Sequence, residues 1–126
     1  MLRNEKGFTL IEIIAVLVIL GILAAVAIPK YISMMEQARI SAAQSAIAEV
    51  KAQASNYYAS QMLSGNGTTN NAAVQASVTS APYLGPDYNV STETAASGIL
   101  ITVASVKGTS LSPAQTGTWY YPGAGL

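Results

Sequence analysis

Hydrophobic and polar residues follow three successive rhythms along this chain. From Phe8 to Ile28 there are 21 residues, and Glu12 is the one ionisable group among them. At about 1.5 Å per residue such a segment makes a helix of roughly 31 Å, enough to cross the hydrocarbon core of a bilayer. Fourteen of its residues are Leu, Ile, Val or Phe. Each favours insertion by roughly 0.3–0.6 kcal/mol, while one acidic residue costs about 2.5–3.5 kcal/mol at the centre and less near an end. The segment inserts even with Glu12 in it.

The second rhythm is amphipathic. Ile40, Ala43, Ile47, Val50, Ala54 and Tyr57 are spaced 3, 4, 3, 4, 3, one apolar stripe on an α-helix. Glu36, Arg39, Gln44, Glu49, Lys51 and Gln53 fall mainly on other faces. Between the two rhythms stands Pro29, which lacks a backbone donor and clashes with the carbonyl four residues back, so a kink or local break is expected there. Gly21 weakens the same region. Leu63-Ser64-Gly65 reads as the helix stop. The expectation is one interrupted helix from Phe8 to Leu63.

The third rhythm is short-range. Residues 64–98 are rich in Ser, Thr, Asn, Gly and Ala and read as a long connection, with a turn-rich patch at Ala81-Pro82-Tyr83-Leu84-Gly85-Pro86. Strand-like runs follow at Tyr88–Thr92, Ile99–Val106 and Thr118–Tyr121. A small antiparallel sheet laid over the Ile40–Tyr57 stripe would bury both. The expected class is therefore α+β, a long N-terminal helix packed against a small C-terminal antiparallel sheet.

The junction before the apolar run is more specific than any of this. Gly7-Phe8-Thr9-Leu10-Ile11-Glu12 opens it, preceded by a short polar stretch containing Arg3 and Lys6. A secretory signal peptide carries its cleavage site after the apolar region, at small residues; here the junction that looks like a cleavage site, Gly7-Phe8, comes before it. This arrangement resembles the class III leader of the type IV pilins and of the type II secretion pseudopilins. The resemblance continues through Leu20-Gly21-Ile22-Leu23-Ala24-Ala25 and Ala27-Ile28-Pro29-Lys30-Tyr31, covering about the first third of the chain. It implies a leader at 1–7, a transmembrane and assembly helix at 8–29, an amphipathic half at 30–63 and a small globular head at 64–126, the pilin fold.

It also implies roles. A prepilin peptidase would cut between Gly7 and Phe8 and methylate the new amine of Phe8. Glu12 would pair with the N-terminal amine of a neighbouring subunit during assembly. The helix between Gly21 and Pro29 would melt as subunits pack into a fibre. The product would be a homo-oligomeric helical filament serving adhesion, twitching motility or related surface functions. It would be built from the inner membrane by an assembly ATPase and platform proteins. The residues alone leave a plainer reading of Glu12 open, a carboxylate near a helix N-terminus stabilised by the macrodipole and reaching toward the interface.

Composition narrows the alternatives. The chain has 126 residues, net charge zero and a tenth of its residues charged, which gives no electrostatic case for nucleic acid. It has no Cys and no His, and after Lys51 its only Asp, Glu, Lys or Arg residues are Asp87, Glu93 and Lys107. General acid–base pairs, triads and metal clusters need more than that, so neither an enzyme nor a cofactor or metal is expected. Without Cys the C-terminal segment must be held by packing and hydrogen bonds. Major pseudopilins carry acidic calcium ligands in C-terminal loops, and from Lys107 to Leu126 this chain has no Asp or Glu, which favours a pilus subunit. Arg3 and Lys6, partly offset by Glu5, oppose Lys30 and place the N-terminus in the cytoplasm. Two alternatives remain: a pseudopilin or minor pilin, and a signal-anchored extracytoplasmic binding module.

Overall fold

The computed structural model describes residues 6–65, 67, 69, 71–79 and 84–122. Arg3 and Glu5 of the polar N-terminal stretch, and Ala81-Pro82-Tyr83 of the turn-rich patch, lie outside the described residues. The elements are α1 (Leu10–Ser64), α2 (Asn71–Thr79), β1 (Tyr88–Ala95), β2 (Gly98–Val106) and β3 (Thr109–Tyr120). They fall into two compact units, Met1–Gln37 and Ala38–Leu126.

In the first unit α1 runs through Gly21 and Pro29 without leaving the helical state, so of the expected kink or local break the break is absent. The proline removes one donor from a ladder whose flanks, Leu20 to Ile28 and Lys30 to Gln37, are mostly good helix formers. Every residue from Leu10 to Gln37 is exposed, and the helix is long and apolar enough to cross a membrane by length and composition.

In the second unit the rest of α1 carries the expected stripe inward. Ala43, Ile47, Val50 and Ala54 are buried, with Ile40 and Tyr57 half-buried at its ends. Ala46 joins them, since it stands three residues after Ala43 and four before Val50 and so shares their face. The same core takes Ile99, Ile101, Val103, Val106 and Trp119 from the sheet. Val74 and Val78 come from α2, an element the expected long connection had no place for. With two large apolar residues in nine, α2 shows only one i, i+4 pair against a Ser/Thr/Asn/Ala background.

The sheet is three-stranded and antiparallel, in the order β1-β2-β3. Strand β2 matches its expected extent within one residue; β1 runs on to Ala95, and β3 starts at Thr109 rather than Thr118. Its Pro113 and Gly117 hide it from propensity, but an edge strand tolerates a proline that donates nothing outward. Lys107 and Gly108 make the two-residue β2–β3 turn with φ of 51° and 75°. Both central residues at positive φ is the type I′ geometry, whose twist suits a hairpin. Within β2, Ile99, Ile101 and Val103 alternate inward, and the next buried residue is Val106, three positions on. Ala104, skipped in both ladders, is the bulge that resets the pleat so that Val106 also faces the core.

Candidate processing and assembly site

The site begins just ahead of the helix. Gly7 and Phe8 precede α1 and are exposed, Phe8 at 87 %. Thr9 caps the helix: the Glu12 backbone N–H donates to Thr9 Oγ1 at 3.3 Å, and the Thr9 N–H donates to Glu12 Oε2 at 2.8 Å. This reciprocal capping box satisfies two of the donors that a helix start leaves without intrahelical partners. It also holds the Glu12 carboxylate at the positive end of the helix dipole, where an anion is favoured. The plainer reading of Glu12 thus describes its geometry within a single chain. Thr9 went unremarked in the sequence, although its signal, Thr-x-x-Glu ahead of an apolar run, is written there.

Gly21 and Pro29 are not gathered around Glu12. They follow it by nine and 17 positions on the same helix, roughly 14 and 26 Å along the axis. A side chain added at Gly21 would meet nothing within 4 Å. Ala15, Ala24, Ala25 and Ala27 are exposed as well. Further along α1, Ser41, Ser45, Ala48 and Ala52 form a second exposed line of small residues, spaced 4, 3, 4, away from the core. Small side chains let helices approach closely.

At the other end of the chain three rings hold the C-terminal segment. Tyr58 lies 5.2 Å from Tyr121 edge-on and 6.0 Å from Trp119, and Trp119 lies 6.2 Å from Tyr121. Trp119 Nε1 donates to Ser55 Oγ at 2.8 Å, and the Tyr121 hydroxyl donates to the Thr69 carbonyl. Burial, and after it the neighbouring Tyr58, pushes the Tyr121 phenol above its ordinary value. Ring contacts with Tyr58 and the Trp119–Ser55 hydrogen bond tie β3 and the residue after it to α1, while the Tyr121 hydroxyl reaches Thr69 beyond the end of that helix. Among the described residues no three His, Cys, Asp or Glu side chains converge on a metal-sized site.

Residues 2–28 match the family described as the prokaryotic N-terminal methylation motif. The type II secretion system core protein G of Pseudomonas aeruginosa is 48 % identical over 50 residues, 40 % of this chain and 35 % of its own. A fimbrial protein of Pseudomonas aeruginosa is 42 % identical over 50 residues, 40 % of this chain and 32 % of its own. The type IV major fimbrial protein of Dichelobacter nodosus is 43 % identical over 47 residues, 37 % of this chain and 30 % of its own. The matched stretch spans about a third of the length of these curated relatives. No solved structure matches the chain at a significant level.

Proposed function

We propose, for a chain whose N-terminal segment is that of the type IV pilins and the type II secretion pseudopilins, that it is the major structural subunit of an extracellular type IV pilus. The observation that carries this reading is the stretch Leu10–Gln37, apolar through most of its length and with no residue buried. A protein exposing that much apolar surface must cover it with lipid, with other subunits, or with each in turn. In the precursor it spans the inner membrane once, with the N-terminus cytoplasmic. A prepilin peptidase cuts between Gly7 and Phe8 and methylates the amine of Phe8. Apolar helices then stack inward, in a head-to-tail contact that does not close and so grows as a helix.

Glu12 is the control point. An acidic group in an apolar surround needs a partner, and the capping box already supplies one within the chain. The charge itself is still unbalanced, and the amine of a neighbouring subunit's Phe8 answers it once the leader is gone. Thr9 orients the carboxylate for that contact. The exposed small residues allow close packing of the helices, and the stretch between Gly21 and Pro29 melts as they pack. The assembly ATPase and the platform proteins act on the subunit in trans.

A second reading, a type II secretion pseudopilin, rests on the 48 % identity of the N-terminal stretch to a core protein of that system. Copy number per sheared fibre separates the two. The decisive test of the common mechanism is intact mass and N-terminal sequence of protein sheared from cell surfaces, for wild type and Glu12→Val. Wild type begins at methylated Phe8 in long fibres, while Glu12→Val stays membrane-inserted and yields few. A wild-type chain that begins at Met1 and occurs only in membranes rejects the filament in favour of an anchored module; normal fibres from Glu12→Val reject the pairing.

A further inference from the structure

We propose that Met34 and Met35 are an oxidation site that governs whether a subunit can enter the filament. This rests on the filament reading above. Both side chains are open on α1, Met34 at 62 % and Met35 at 39 % exposure, beside exposed Tyr31 and Ile32. Between Lys30 and Glu36 the sequence is Tyr-Ile-Ser-Met-Met, five residues without a charge. The pair therefore extends the exposed apolar surface past Lys30, where the hydrocarbon span ends and water-borne reagents reach. Neighbouring residues on a helix point about 100° apart, so the two thioethers together cover a wide arc of its surface.

Methionine suits such a contact because its thioether is flexible, apolar and polarisable. The same sulfur accepts an oxygen atom from a two-electron oxidant of the peroxide or hypohalous acid class. With hydrogen peroxide the O–O bond breaks, one oxygen bonds to sulfur, sulfur is oxidised by two electrons, and the other oxygen leaves as water. The product is a polar, chiral sulfoxide, which methionine sulfoxide reductases return to the thioether. Two sulfoxides on the packing arc put unpartnered polar groups where helices must meet. A subunit oxidised before assembly is excluded; one already in the filament has the pair covered. Met62, near the C-terminal end of α1 and 38 % exposed, is the internal comparison, since it lies in the other unit.

The test uses the full chain in cells that assemble it. Filaments are sheared off, the cells are exposed briefly to hypochlorous acid, and regrown filament is measured. Peptide mass spectrometry then reads oxygen added at each methionine in membrane-held subunits and in intact fibres. Wild type regrows roughly tenfold less, the effect of one unpartnered polar group at an interface. The double variant Met34→Leu, Met35→Leu regrows as if untreated, and Met62→Leu remains as sensitive as wild type. In intact fibres Met62 takes up oxygen and Met34 and Met35 do not. Equal loss in wild type and the double variant, or equal oxidation of all three methionines in fibres, overturns the proposal. Absence of fibres from untreated wild type instead overturns the filament reading, and this inference with it.

Discussion

Thr9 and Glu12 show how much a single contact changes a residue's meaning. An acidic residue in an apolar run reads as an anomaly until its hydrogen bond to the Thr9 N–H makes it half of a cap. That geometry explains how the chain tolerates the carboxylate. The proposed pairing with an amine belongs to a different state, the assembled one. Tyr121 offers a test at the same scale. Its folded pKa is raised above the ordinary 10.0, and the protonated phenol is the form that donates to Thr69. The stability it contributes is full below pH 10.0 and is lost as pH rises through the raised value. Denaturant midpoints measured against pH should therefore place Tyr121→Phe below wild type at neutral pH, with the gap narrowing above pH 10.0.

At the scale of elements, helix α1 and strand β2 were legible because each carries its pattern in large side chains: 14 Leu, Ile, Val or Phe in the apolar run, and Ile99, Ile101 and Val103 in alternation. Helix α2 and the first half of β3 were not. Their residues are small or polar, and they take their form from what they lie against. Gly117 is the case in point. A Cβ built there would sit 2.5 Å from Ile47 Cγ2 and 3.2 Å from Lys51 Cε, so β3 closes on α1 only because that side chain is missing. Gly117→Leu should lower stability by about 1–3 kcal/mol through forced repacking, measured by chemical denaturation. Wild-type stability in that variant would mean that β3 can shift without loss.

At the scale of the molecule, the two units divide the work. Among the described residues, all twelve buried apolar side chains lie between Ala43 and Trp119, and none lies between Lys6 and Gln37. A chain starting at Ala38 should therefore remain soluble, keep its sheet by circular dichroism and melt cooperatively, while losing membrane association. Failure to fold would show that the apolar helix contributes to the head. By itself the sequence determined the apolar helix, the methylation-type motif that opens it, the inward stripe of α1 and the central strand. Each of these depends on local periodicity or on a short motif, and neighbours in sequence are enough to specify both. Tertiary structure alone decided the existence of α2, the length of β3 and the ring cluster that stands in for a covalent staple. Those features are made by groups far apart in the chain, Ser55 with Trp119 and Ile47 with Gly117, and their energy appears only once the chain has closed on itself.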